Sequence, residues 1–181
     1  MKTAIQTVSF FLLFFFWFLI CPSSCAGEGA IDRLSYTKQD FDVIIEGNID
    51  GISIKGRLVS RPNAEGTDAK ATFTFISPES LRGLNVTLNA NGEMSARLGE
   101  IKESSQAILP LADIFMPIIE IGEISSVAKC KDGSVNISVK DEDSDLEYTF
   151  LQDSALPSRI AGNNKGRSID IKVSQTDEKG A

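Results

Sequence analysis

The sequence predicts a mainly β protein built on one curved antiparallel sheet, with short helices as a lid over one face. Three observations support this prediction. Beyond residue 40, apolar residues recur at every second position, as they do in strands that bury one face. Short turns separate these runs, and Asn91-Gly92 is the strongest hairpin signal among them. One apolar segment in mid-chain, 107–121, has helical rather than alternating spacing.

The first 26 residues have the layout of a secretory signal peptide. Lys2 supplies the basic start, residues 10–21 are apolar throughout, and small residues lead to a cleavage site. The apolar run is shorter than the roughly 20 residues of a membrane span. We therefore expect an exported protein. The predicted organisation is a signal peptide over 1–26, a single β domain over 27–175 and a flexible tail over 176–181.

The end of the signal peptide allows two outcomes. Ser24-Cys25-Ala26 fits a small-x-small cleavage site, which would release a secreted or periplasmic protein beginning at Gly27. Ser23-Ser24-Cys25 also resembles a lipobox, in which Cys25 is acylated and anchors the protein to the membrane surface. Pro22 stands where a lipobox usually has Leu. Both outcomes place the protein in the cell envelope or outside the cell.

The alternating runs predict nine or ten strands in order along the chain. They lie at 41–46, 52–58, 69–75, 84–90, 94–98, 127–130, 135–139, 146–150, 156–161 and 169–173. Short connections favour an antiparallel meander. Because alternation gives each strand one apolar and one polar face, one side of the sheet must be covered.

Three segments depart from the strand pattern. Residues 27–38 predict a brief helix, and Ser77-Pro78-Glu79 resembles a helix start with Pro78 as the first helical residue. Residues 107–121 form an apolar insert between two halves of the meander. Pro110 suits a first helical turn, whereas Pro117 would break a helix interior. The insert therefore predicts two short helices or one kinked helix.

We interpret the insert as a lid over the apolar sheet face. The candidate ligand-binding residues are Phe41, Val43, Phe73 and Phe75 on the sheet, and Ile108, Leu111, Phe115 and Ile118 on the insert. If the space between them is partly empty, it would hold a lipid or another hydrophobic ligand. If it is filled, the domain is a structural or adhesive envelope module. Both hypotheses stay open on the sequence.

The composition excludes several classes of chemistry. The chain has no His, so it holds neither a Ser-His-Asp triad nor a His-ligated metal centre. Its formal net charge of −7 argues against nucleic acid as a partner, because phosphate binding needs clustered Lys and Arg. No nucleotide-binding or nucleophile-elbow motif occurs. We expect a monomer without catalysis or cofactor; a two-carboxylate hydrolase is the second alternative.

Two further features are assigned structural roles. Asp141, Asp143 and Asp145 match the opening of a calcium loop, but Leu146 replaces the required Gly and Gln152 the required Glu. We therefore predict a solvated acidic turn and no metal site. Cys130 is expected to be a small buried apolar residue.

Two segments carry a resemblance to a known family. The aromatic strand that runs into a Pro-containing turn, 73–81, and Leu156-Pro157-Ser158-Arg159-Ile160 resemble segments of the LolA/LolB family of lipoprotein carriers. The signal peptide, the meander and the helical insert are also similar to the related LppX/LprG lipid-binding lipoproteins. The resemblance implies an unclosed β-barrel, or half-barrel, whose concave face holds acyl chains. It therefore implies lipid binding, as carrier or sensor, in the cell envelope.

Acylation of Cys25 is directly testable. If Cys25 carries the anchor, Cys25→Ser moves the protein from the membrane fraction to the periplasm or the medium, because the acyl chains are lost. The distribution is measured by fractionation and immunoblotting, with Cys130→Ser as the control. An unchanged distribution of the Cys25→Ser protein would favour cleavage before Gly27.

Overall fold

The structure, a computed structural model, describes residues 32–103 and 109–176. The predicted signal peptide, Cys25, Ile108 and the last five residues of the predicted tail lie outside the described residues. Eleven strands form one antiparallel sheet in the order β6-β5-β4-β3-β2-β1-β11-β10-β9-β8-β7. Their bounds, from β1 to β11, are Phe41–Ile49, Ile52–Ser60, Ala69–Ser77, Asn85–Asn89, Met94–Leu98, Ile101–Glu103, Ile124–Lys129, Val135–Lys140, Ser144–Phe150, Arg159–Asn164 and Arg167–Gln175.

The predicted fold class is confirmed: the protein is mainly β, with one antiparallel sheet that is not closed into a barrel. Each half of the chain is a meander, and the first and last strands meet in the middle of the sheet. There Ile45 of β1 lies opposite Val173 of β11. Strands β6 and β7 are therefore the two edges, and the chain between them has to pass from one edge of the sheet to the other.

The helices agree with the predicted interruptions of the β pattern. A 3₁₀ helix, Leu34–Lys38, precedes β1, and two four-residue helices separate β6 from β7: α1, Leu109–Ala112, and α2, Met116–Ile119. Pro117 lies in the first turn of α2, where its missing N–H breaks no helical hydrogen bond. Two short helices, rather than one kinked helix, therefore form the insert. We call residues 109–119 the covering segment.

One strand was missed from the sequence, and two local predictions were wrong. The missed strand is β6, whose three residues are all exposed and show no burial pattern that sequence reasoning could detect. Pro78 was predicted to be the first helical residue, but it lies before the 3₁₀ helix Glu79–Leu81 in an extended conformation, with ψ of 166°. The φ that its ring imposes is compatible with both helical and extended backbone, so the ring does not by itself place Pro78 in the helix. Cys130 is exposed rather than buried, because it follows the end of β7 and begins the turn to β8.

The hydrophobic core occupies one face of the sheet. Alternate residues of every long strand point into it, as Val43 and Ile45 of β1 and Phe73 and Phe75 of β3 do, all at most 1% exposed. The opposite face is polar and carries cross-strand ion pairs, among them Arg159 with Asp170 at 2.7 Å. Exposed pairs of this kind add little stability, so burial of the apolar face is what stabilises the fold.

Gly56 allows the sheet to accept an aromatic ring on its inner face. A Cβ on this glycine would lie 2.2 Å from Cζ of Phe73, so the ring of Phe73 occupies the space that any other side chain at position 56 would need. The pairing of β2 with β3 shifts register between Lys55 and Gly56. A glycine inside a strand commonly marks such a bend or close approach.

We predict that Gly56→Ala destabilises the protein by about 1–3 kcal/mol, because the added methyl group overpacks the core against Phe73. Urea unfolding measures the change. The same substitution in a Phe73→Leu background should lower the free energy of unfolding by less, since Leu does not fill the space next to residue 56 that the Phe73 ring occupies. Equal costs in the two backgrounds would show that Phe73 is not the obstacle.

Candidate ligand-binding site

The covering segment contacts the inner face of the sheet through an aromatic cluster. The ring of Phe115, between α1 and α2, stacks on Phe73 with centroids 5.9 Å apart and planes inclined by 18°. Phe73 in turn meets Phe75 edge-on at 4.8 Å. All three rings are at most 1% exposed, so they form a dry contact between the cover and the sheet.

Three polar contacts attach the covering segment, and Glu120 directly after it, to the rest of the domain. The hydroxyl of Tyr148, on β9, donates a buried hydrogen bond of 2.8 Å to the carbonyl oxygen of Pro117. Lys165 Nζ lies 3.1 Å from Asp113, and Lys70 Nζ lies 3.1 Å from Glu120. Both lysines are partly exposed, so the ion pairs hold the cover weakly compared with the buried hydrogen bond.

The structure places most of the predicted ligand-binding residues together. Val43, Phe73, Phe75, Phe115 and Ile118 are all in the buried core. Phe41 and Leu111 are partly exposed and pack against its margin. The predicted pairing of insert and sheet is therefore present, and its central residues contact one another directly. Ile108 lies outside the described residues.

Three clefts open at the surface of the described part of the chain. One, of about 290 Å³, lies beside the covering segment between Met116, Pro117 and Ile121 on one side and Leu146 and Tyr148 on the other. Charged side chains, including Asp141 and Lys165, form part of its wall. It combines an apolar wall with a polar rim, as sites for amphipathic ligands commonly do.

The second cleft, of about 470 Å³, lies where β1 begins and β11 ends. Phe41, Tyr36 and Leu156 give it apolar walls, and Gln39 and Thr176 are among its polar residues. Phe41 is thus a predicted ligand-binding residue that lines this cleft. A third cleft, of about 340 Å³, shares Tyr36 and Gln39 with the second.

The 3₁₀ helix before β1 is fixed firmly beside these clefts. The guanidinium of Arg33 donates hydrogen bonds to the carbonyl oxygens of Leu151, Gln152 and Ser154 at 2.7, 2.8 and 3.2 Å. Tyr36 inserts its ring into the core, 6.2 Å from the ring of Phe150. Sequence reasoning missed Arg33 and Tyr36, because a short polar segment carries no periodicity that shows which side chain turns inward.

The two tyrosines of the chain differ in how their hydroxyls are satisfied. Burial raises the pKa of Tyr148, and the Asp141 carboxylate raises it further. Burial also raises the pKa of Tyr36, with Tyr148 as a second cause. The Tyr148 hydroxyl has its bond to Pro117, whereas the Tyr36 hydroxyl is buried without a hydrogen-bond partner among the described residues. Alternation on β9 indicates that Tyr148 faces inward but does not identify its partner.

The acidic segment forms a local turn. Asp141 accepts a hydrogen bond from the backbone N–H of Asp143 at 3.0 Å, and its own N–H donates to the carbonyl of Ser144. Across residues 32–103 and 109–176, no group of three potential metal-ligating side chains comes together.

Over the same residues, no helix has the length and apolar character needed to cross a membrane.

Comparison with known proteins identifies similar folds. No family model matches the sequence. No curated protein matches it. An uncharacterized conserved protein from Thermus thermophilus is 12% identical, covering 84% of this chain and 90% of that one, with a TM-score of 0.49. A LolA superfamily protein from Nitrosomonas europaea is 9% identical, covering 87% and 96%, with a TM-score of 0.44.

A third similar structure is a DUF1329 family protein from Desulfovibrio piger. It is 11% identical, the match covers 82% of this chain and 91% of that one, and the TM-score is 0.39. At these identities the similarity concerns the fold.

We predict that the protein unfolds in alkali as its tyrosines ionise. The pKa values of both phenols are raised by folding, so their contribution to stability is complete below about pH 10 and declines as the pH rises further. Tyrosinate absorbance and loss of the circular dichroism signal should then follow one transition.

The matched variant is Tyr148→Phe, in which the tyrosinate signal of the same transition should fall to about half, because one of the two phenols is gone. Ionisation of either tyrosine while the native circular dichroism persists would contradict the prediction.

Proposed function

We propose that the protein binds a lipid or another hydrophobic ligand on the inner face of its half-barrel and acts as a carrier or sensor without catalysis. The observation that supports this most is the disproportion between the sheet and its cover. Nine of the eleven strands contribute buried apolar side chains to one face of the sheet, and two four-residue helices lie against it. We propose that a cover of this size is displaced as a unit.

The cover is held to the sheet mainly by apolar contacts. Phe115 rests its ring on Phe73, and Ala112, Ile114, Ile118 and Ile119 are buried beside it, with one buried hydrogen bond and two partly exposed ion pairs as the polar contacts. Displacing the segment would expose the inner face while the strand pairing of the sheet stays intact. An acyl chain could then replace Phe115 against Phe73 and Phe75, so that apolar contacts are exchanged rather than lost.

The proposed location is the cell envelope or the extracellular space. The signal-like N-terminus predicts export, and Cys25 is the candidate point of attachment to a membrane surface. A lipid-binding domain in this location would receive its ligand from a membrane or from another carrier.

A structural or adhesive envelope module is the second candidate, and one observation favours it. Phe73, Phe75 and Phe115, which were predicted to line a cavity, fill the space between them with their own rings. A permanently closed core of this kind would need no ligand.

Native mass spectrometry of the full exported chain from its own host tests the proposal. A carrier or sensor should retain a lipid adduct of defined mass, and denaturing spectra of the same sample should show the lipid as a separate species. Repeated preparations without any adduct, together with failure to bind added lipid, would favour the structural module.

Phe115→Ala distinguishes a displaceable cover from an ordinary core. Truncating a buried Phe usually costs about 3–5 kcal/mol. We predict a smaller loss for Phe115→Ala, because the covering segment can shift to fill the space, together with faster uptake of the apolar dye N-phenyl-1-naphthylamine. Urea unfolding and stopped-flow fluorescence measure the two effects.

Phe150→Ala is the matched control, since Phe150 is equally buried but packs against Tyr36 of the 3₁₀ helix. This variant should show the full loss of stability without faster uptake. If both variants lose the same stability and neither takes up the dye faster, the covering segment is ordinary core.

A further inference from the structure

The cleft beside the covering segment combines an apolar wall with side chains of opposite charge. Met116, Ile121 and Leu146 are among its apolar residues, and Asp141 and Lys165 are among its charged ones. Its volume of about 290 Å³ is close to the lower end of the range for small-molecule sites. The cleft is open in the structure as it stands, so a ligand could enter it without any movement of the cover.

Asp141 brings to this cleft a carboxylate oxygen that has no partner in the described part of the chain. Its Oδ1 atom accepts the hydrogen bond from the backbone N–H of Asp143, and its Oδ2 atom accepts none. The adjacent Lys140 is paired with Asp145 at 3.3 Å instead. Oδ2 lies beside Gly122, where a Cβ would be only 3.0 Å from it. The missing side chain of Gly122 therefore keeps this oxygen accessible next to the apolar wall.

The amide of Asn164, at the end of β10, is a second polar group in the wall. The residue is 5% exposed, and its Oδ1 atom accepts a hydrogen bond of 2.7 Å from the hydroxyl of Ser144, opposite it on β9. Its Nδ2 atom donates to no described residue. Unlike the hydroxyl of Tyr36, this nitrogen is not fully enclosed, so it can be reached from the cleft that its residue lines. Amide donors in buried residues normally have an acceptor, which a ligand in the cleft would supply.

Lys165 supplies the positive charge of the cleft. It follows Asn164 directly, and its Nζ atom lies 3.1 Å from Asp113 of the covering segment. An ammonium group has three N–H donors, and the contact with Asp113 uses one of them, so the others can meet an anionic oxygen. Asp141 and Lys165 thus line one cleft with opposite charges and form no ion pair with each other.

This combination of charges selects against ligands with a single charge. An anion that contacted Lys165 and the Asn164 amide would also meet the carboxylate of Asp141, with Glu120 as a second acid in the wall. A cation that contacted Asp141 would also meet the ammonium group of Lys165. Like charges placed together are unfavourable, so each of these ligands is opposed by one side of the cleft. A ligand with both charges satisfies the two sides at once.

We propose that this cleft binds the zwitterionic headgroup of an amphiphile, with an ammonium group on Asp141 and a phosphate oxygen on Lys165 and the Asn164 amide. The first carbons of the apolar chain lie against Met116 and Ile121. The site is separate from the inner face of the sheet, which the core side chains fill. The inference therefore goes beyond the proposed function and holds whether or not the cover opens.

The test uses three single-chain lipids that share an octanoyl chain, titrated into the full exported chain at about pH 7, where amines are charged. Lysophosphatidylethanolamine is zwitterionic, lysophosphatidylglycerol is anionic, and monooctanoylglycerol is uncharged. The native protein should bind the zwitterionic lipid about 10-fold more tightly than either of the others, as expected for one charge-assisted hydrogen bond. Isothermal titration calorimetry measures the three dissociation constants.

Asp141→Asn removes the negative charge and keeps the oxygen that accepts the N–H of Asp143, so the turn should stay folded. Binding of the zwitterionic lipid should weaken about 10-fold, because its ammonium group loses the carboxylate. Binding of the anionic lipid should tighten, because the repulsion is gone. Asp143→Asn is the matched control: this carboxylate belongs to the same acidic turn but not to the cleft wall, so the variant should bind all three lipids as the native protein does.

Lys165→Gln should have the complementary effect. Binding of the zwitterionic and the anionic lipid should both weaken, because each loses the ammonium group that contacts its phosphate. Binding of the uncharged lipid should stay the same. Opposite responses of the anionic lipid to Asp141→Asn and Lys165→Gln would separate charge recognition in the cleft from a general loss of structure.

The contrary outcomes are equally clear. If the native protein binds the three lipids with equal affinity, the headgroup site is refuted, whereas binding on the inner face still stands. If Asp143→Asn changes the affinities as much as Asp141→Asn does, net charge rather than the cleft is responsible, and the site is refuted as well. If the native protein binds none of the three lipids, the cleft is no lipid site, and uptake of N-phenyl-1-naphthylamine still tests the inner face separately.

Discussion

The contact of Phe73 with Gly56 is the constraint on which the interior of this protein depends. Because residue 56 has no side chain, the ring of Phe73 can lie against the neighbouring strand. In that position it offers Phe115 a flat apolar surface, and the covering segment rests there. A larger residue at position 56 would displace the ring of Phe73, which is the surface that Phe115 of the covering segment contacts.

The sheet and its covers are held by different forces. Continuous strand pairing and burial of one apolar face stabilise the sheet, and these act along the whole chain. The covering segment and the residue after it are held by burial of Ala112, Ile114, Phe115, Ile118 and Ile119, by one buried hydrogen bond and by two partly exposed ion pairs. The 3₁₀ helix is held by the buried ring of Tyr36 and by three hydrogen bonds from Arg33, the residue before it. The two covers therefore differ in the kind of contact that holds each.

Local patterns in the sequence predicted much of the fold, for reasons that particular residues make clear. Alternation identifies the long strands because one face of each is buried, as at Phe73 and Phe75. Pro117 divides the insert, since it is incompatible with the interior of a long helix, whereas Pro110 suits the first turn of α1. The apolar stripe of the insert correctly included Phe115 and Ile118, which are fully buried.

Features that depend on distant parts of the chain could not be predicted in this way. The short edge strand β6 is exposed throughout, and Cys130 was assigned by residue type although it sits in a turn. The candidate site is affected most. The inward position of Tyr36 and the bond from Tyr148 to Pro117 arise when separate segments dock, and no local pattern encodes which side chains will then meet.

The pairing of the first strand with the last has a consequence for the order of folding. Ile44 and Ser174 lie opposite each other, 130 residues apart in the chain, whereas most other strand pairs are hairpins. Each meander can form locally, but the central seam must wait for a long loop to close, which is a slow, entropically opposed event. The topology thus delays the completed sheet until the last strand, β11, is available to pair with β1.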